Sequence, residues 1–116
     1  MNVEVFRDYC LAKKGVTESF PFDENTLVFK VMEKMFAFTG LEHENLVVHL
    51  KCDPQYSLSL REEYAAVRAG MNKKHWNRVG FEEDVPDDLL AHLIDHSYDL
   101  VVQKLRKADR EILNQL

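Results

Sequence analysis

The spacing of apolar and polar positions divides the chain into stretches of helical and of strand period. Residues 2–14 place Val5, Phe6, Tyr9, Cys10 and Lys13 three and four apart, which is the period of one helix face. Lys13 and Lys14 would sit near the negative end of that helix's dipole, and Gly15 would stop it. The period then falls to two. Residues 17–22 put Phe20 and Phe22 on one face, Asp23-Glu24-Asn25 reads as a polar turn, and residues 26–32 alternate through Leu27, Phe29 and Val31. Glu33-Lys34 is the expected two-residue hairpin connection, although it lacks the Asn-Gly chemistry favoured there. Residues 35–39 return with Phe36 and Phe38. After Gly40 and an acidic loop, residues 45–51 set Leu46, Val48 and Leu50 against Val47, His49 and Lys51. The four strands predict an antiparallel meander with one face covered.

Asp53-Pro54 has the chemistry of a helix start, an Asp cap followed by proline at the first helical position. Tyr56, Leu60 and Tyr64 define its inner face, with Arg61, Glu62 and Glu63 towards water. Residues 67–72 read as a short extended or loop piece and 76–81 as a further strand. A last helix is expected from Pro86, with Asp87 and Asp88 at its positive end and a buried stripe of Leu90, Ile94, Val101 and Leu105, flanked by Leu93 and Tyr98. Lys104, Arg106 and Lys107 suit its negative end, and the tail beyond either frays or extends it. The order α-β-β-β-β-α-β-β-α predicts an α+β fold, an antiparallel sheet with helices packed on one face.

At 116 residues, 46% hydrophobic and 30% charged, the chain is sized and composed as one globular domain. Cys10 and Cys52 are too few for a disulfide framework and form no C-x-x-C, so both are expected as small buried hydrophobes in a reducing compartment. The N-terminus lacks a signal-peptide pattern, and no apolar run approaches a membrane span. The expected location is cytoplasmic, with no membrane association. A net charge of −5 argues against a nucleic-acid partner, but the charge is unevenly distributed. Residues 68–78 hold Arg68, Lys73, Lys74, Arg78 and one histidine without an acid, whereas residues 82–99 hold seven acids without Lys or Arg. A local positive patch on an acidic protein is compatible with that pattern.

Most candidate chemistry has a plainer explanation. His92 and His96 have metal-ligand spacing on a helix, but a zinc protease needs Glu where this chain has Leu93, and no third ligand is evident. The acids from Glu82 to Asp88 form no calcium loop, and helix-start acids compensating a dipole account for Asp87 and Asp88. Ser19, Ser57 and Ser59 lie in no nucleophile elbow, and His49 and Cys52, three apart on a strand, point to opposite faces. The glycines at 15, 40, 70 and 80 build no phosphate-cradling loop. No enzymatic activity, metal or cofactor is therefore expected. What remains is the segment from Met71 to Arg78. Lys73, Lys74 and Arg78 can neutralise phosphates, Asn72 and Asn77 carry groups suited to phosphate or base edges, and Trp76 offers a stacking face. The competing structural reading is a polar loop with its one aromatic turned into the core.

The string Asn72-Lys73-Lys74-His75-Trp76-Asn77 resembles the signature of the MmcQ/YjbR family. Ser19-Phe20-Pro21-Phe22-Asp23 with Phe29-Lys30-Val31, Leu50-Lys51-Cys52-Asp53-Pro54, and the run from Ile94 to Val101 are similar to further stretches of that family, in the same order. The resemblance implies a CyaY-like, frataxin-related α/β sandwich over residues 1–116 and a DNA-binding module of double-wing type. The chain departs from the family in one place. Arg68-Ala69-Gly70-Met71 replaces a longer Pro-Gly-Tyr-His-type stretch, and Arg68 could supply a substitute charge. The leading expectation is DNA binding, with Arg68, Lys73, Lys74, Arg78 and Lys51 on phosphates and Asn72, His75, Trp76 and Asn77 shaping or reading the contact. The alternatives are a protein-interaction or small-ligand module on the same segment, and frataxin-like metal handling around the last helix.

Overall fold

The computed structural model describes residues 1–42 and 46–116. Its elements run α1 (Val3–Leu11), β1 (Val16–Ser19), β2 (Thr26–Val31), β3 (Lys34–Gly40), β4 (Val47–Lys51), α2 (Pro54–Glu63), β5 (Val67–Ala69), β6 (Trp76–Gly80), α3 (Asp87–Gln103) and α4 (Lys107–Asn114). The six strands form one antiparallel sheet in the order β1-β2-β3-β4-β6-β5. The expected meander is thus extended when β6 pairs with β4 and β5 closes the edge. Asn45, the expected first residue of the fourth strand, lies outside the described residues, and β4 starts at Val47.

The sheet has two unlike faces, because residues in register across strands share a side. One row runs Glu18, Phe29, Ala37, Leu50, Asn77, Ala69 and meets the helices. On this side the rings of Phe6 from α1 and Phe29 pack edge to face at 5.3 Å, and Ser57 of α2 bonds Asn77. Ser97 of α3 donates to the Phe36 carbonyl at 2.5 Å and accepts the Lys51 N–H at 2.8 Å. The opposite row runs Ser19, Val28, Phe38, His49, Arg78, Arg68. The helix contacts named above lie on the first face, and Val3 of α1 and Leu100 of α3 border the second at its margins. The α+β class with one-sided helices is therefore the observed architecture.

Several element boundaries differ from the periodic reading. α1 ends at Leu11, not residue 14; the Lys13 ammonium instead pairs with Asp95 of α3 and lies 5.1 and 5.2 Å from the ring centres of Tyr9 and Tyr98. Gly15 has φ of 74°, and a Cβ there would come 2.5 Å from Leu113 Cδ1, so this turn requires glycine. β1 stops at Ser19, because Pro21 has no N–H for a ladder and the Asp23 carboxylate gathers the N–H groups of Asn25 and Thr26 into a turn. Phe20 and Phe22 are left 48% and 66% exposed. The β2–β3 connection is Met32-Glu33, one residue earlier than expected, with φ of 48° and 68° at the two positions. The last helical region breaks into α3 and α4. The turn at Arg106 lets both Leu105 and Leu113 reach the core.

Candidate functional site

The segment singled out by composition divides into an architectural half and an exposed half. Asn72 organises the turn that precedes β6. Its Oδ1 accepts the N–H groups of Lys74 at 3.0 Å and His75 at 3.3 Å, and its carbonyl accepts that of Trp76 at 2.8 Å. Trp76 and Asn77, expected to shape or read a contact, are 5% and 2% exposed. The Trp76 ring lies on the open side of the sheet, but it is closed in by Phe38 at 5.6 Å and by the Lys51 ammonium at 5.7 Å, and presents no free stacking face. Asn77 points to the helix side, where its Nδ2 donates to Ser57 Oγ at 3.1 Å and its Oδ1 accepts from Arg61 Nε at 2.9 Å.

Arg61 is the residue that sequence reasoning missed. The helix period turns it towards water, yet its guanidinium also donates to the Lys73 carbonyl at 2.6 Å and so ties α2 to the turn. Tyr56 and Tyr64 pack against the core as expected, and Ser57 is buried beside them; a serine one turn before Leu60 was the available signal, since on an inner face it needs a polar partner. Lys73, Lys74 and His75 remain exposed at the tip of the turn.

The remaining cations fall into two groups. Lys51 is opposite Trp76 in the β4–β6 register, at the end of the sheet that also holds the Asn72–His75 turn and the β2–β3 hairpin with Lys34. Burial, followed by the nearby charges of Lys104 and Lys34, lowers the pKa of Lys51. Arg68 and Arg78 are in register with each other one row further along the face. They border a concave region of about 1220 Å³ whose rim includes Glu42, Glu82 and Glu83, and the N–H groups of Ala66 and Ala65, with a smaller effect from the Arg68 charge, hold the Asp84 carboxyl below its ordinary range. The acids Asp23, Glu24, Glu42, Glu82, Glu83 and Asp84 all occupy loops at this second end. The molecule is polarised along its strands. One end carries Lys34, Lys51, Lys73, Lys74 and Lys104, with Glu33, the cap residue Asp53 and Asp99, whose charge reaches His96; the other carries the acidic loops.

In the concave region His49 stacks on Phe38 with ring centres 4.2 Å apart and planes 4° from parallel. Burial, with a smaller effect from Arg78, pushes its pKa down to about 4, so the ring is neutral at neutral pH. Its Nδ1 is buried and has no hydrogen-bond partner among the described residues. Cys52 lies in the core with its thiol pushed up by burial, and does not meet His49. His96 uses Nε2 to accept the Asp53 N–H at 3.1 Å at the start of α2. Among the described residues no group of three His, Cys, Asp or Glu side chains converges as a metal site, and no helix is long and apolar enough to cross a membrane.

The YjbR family model matches residues 11–100. The YjbR protein of Escherichia coli K12 is 31% identical over 118 residues, covering 100% of both chains. The YbdF protein of Escherichia coli O157:H7 is 37% identical over 94 residues, covering 79% of this chain and 77% of that protein. Among solved structures, a Deinococcus radiodurans protein carrying the DUF419 domain superposes with a TM-score of 0.90 at 38% identity, covering 97% of this chain and 88% of its own. A Pseudomonas syringae protein superposes with a TM-score of 0.73 at 25% identity, covering 86% of this chain and 98% of its own. By its sequence along the whole length and by its fold, this chain belongs to the YjbR family.

Proposed function

We propose that this domain binds DNA, with the Asn72–His75 turn and the adjoining strand ends as its phosphate-contacting surface. The observation that carries this reading is the charge separation. Lys51, Lys73 and Lys74 sit at one end without a carboxylate partner within 4 Å among the described residues, while Asp23, Glu24, Glu42, Glu82, Glu83 and Asp84 gather at the other. An acidic duplex approaching the basic end meets attraction locally and keeps the repulsive end distant. Arg78 and Arg68 extend the contact onto the open sheet face. Trp76, Asn77 and Arg61 hold the turn in shape and contribute through it.

Five phosphate contacts imply a slope of about −4.5 in log affinity against log salt, so affinity falls roughly 500-fold between 50 and 200 mM. Anisotropy of a labelled duplex tests this. Lys73→Glu with Lys74→Glu is expected to abolish binding while circular dichroism stays unchanged; unaltered affinity in that variant would sink the assignment. The second reading, a small-ligand or protein-interaction module on the same segment, draws support from the concave face that Arg68 and Arg78 border, where His49 Nδ1 has no hydrogen-bond partner among the described residues. Binding there would depend only weakly on salt.

A further inference from the structure

At the basic end, a recess of about 190 Å³ opens beside Lys51. Lys51, Lys104, His75 and Asn72 form its polar wall, and Trp76 and Leu100 its apolar wall. No carboxylate lines it among the described residues. Lys34 reaches the same neighbourhood from the β2–β3 hairpin, since its charge and that of Lys104 both act on Lys51. None of the three ammonium groups has an ion-pair partner within 4 Å among the described residues. The carbonyl end of α3 accounts for Lys104. It does not account for Lys51, which is half-buried and held 5.7 Å from the Trp76 ring centre by cation–π attraction. Neither Lys34 nor Lys104 belongs to the segment that composition singled out.

We infer that this recess binds a terminal phosphate, a phosphate monoester dianion, with the ester's organic part against Leu100. A dianion facing several ammonium donors gains charge-assisted hydrogen bonds that a single surface lysine cannot supply. A backbone diester bears substituents on two of its oxygens and needs an open trough, whereas a recess of 190 Å³ admits one end of a molecule. The same group occurs at the 5′-phosphorylated end of a nucleic-acid strand and on small phosphorylated compounds. The first source rests on the proposed DNA binding; the second does not.

Trp76, the single tryptophan, reports from the recess wall. Its fluorescence is followed on titration with phenyl phosphate and with dimethyl phosphate, in the unaltered protein and in Lys104→Gln and Lys34→Gln, both at exposed positions. The expected result is a saturable response to the monoester, absent with the diester and weakened about tenfold by Lys104→Gln. Oligonucleotides with a 5′-phosphate or a 5′-hydroxyl then separate the sources. Preference for the phosphate assigns the strand end, and equal affinity assigns a small compound; both follow only if the monoester binds. No saturable response to phenyl phosphate, or an equal response to dimethyl phosphate, overturns the inference. The DNA reading survives that outcome if the Lys73→Glu, Lys74→Glu variant still loses the duplex.

Discussion

Single side chains explain much of what makes the Asn-Lys-Lys-His-Trp-Asn string specific. Asn72 closes a turn, Trp76 anchors Lys51, and Asn77 fixes Arg61 and Ser57, so half the string serves folding while Lys73, Lys74 and His75 stand exposed at the tip of the turn. Ser97 plays a comparable role in α3. It satisfies two sheet backbone groups, the Phe36 carbonyl next to the register shift between β2 and β3 and the N–H of Lys51. Ser97→Ala leaves both unpaired in a fully buried place. The expected loss is about 2–3 kcal/mol, read as a lowered denaturation midpoint. A change below about 0.5 kcal/mol would mean that these groups find other partners.

At the scale of elements, the β2–β3 hairpin carries a local conflict. Its two-residue turn needs positive φ at both central positions, and the chain supplies Met32 and Glu33. Met32 packs against the core and is retained for that reason. Glu33 is exposed, with φ of 68°. Glu33→Gly should therefore stabilise the fold by about 0.5–1 kcal/mol, after allowing for the extra entropy of glycine in the unfolded chain. Thermal denaturation measures this, and a destabilised variant would show that the glutamate side chain has a role of its own. The α2–turn connection through Arg61 is a different kind of element-level fact. It joins residues 12 and 16 positions apart in sequence, which no periodicity could reveal.

For the whole molecule, stability and charge are linked through pH. The folded-state pKa values of His49 and His96 lie below their ordinary values, chiefly through burial. The unfolded chain therefore binds more protons than the folded one as pH falls below about 6.5. Stability conferred by neutral His49 is fully present above that pH and is lost progressively down to about 4. Asp23, Asp84 and Asp95 are held below the usual carboxylate range. Their contribution is present above about 4 and declines under stronger acid. Denaturation midpoints should thus fall with acidification in two stages. His49→Phe, which keeps a ring against Phe38, should flatten the first; an unchanged slope between pH 6.5 and 4 would remove His49 as its source.

The sequence by itself determined the α+β class, the helix start at Asp53-Pro54, the strand period of β2–β4 and the positions of the basic segment, because each depends on neighbours a few residues apart. It also carried the family resemblance. Three matters were decided only by tertiary structure. The strand order brought β6 against β4 and so set Lys51 beside Trp76. The split of α3 from α4 depended on where Leu105 and Leu113 could be buried. The separation of acidic loops from the lysine-bearing end followed from which way each strand runs. Local pattern fixes how a strand alternates, but which strands pair, and therefore which charges end up together, is set by contacts between residues far apart in the chain.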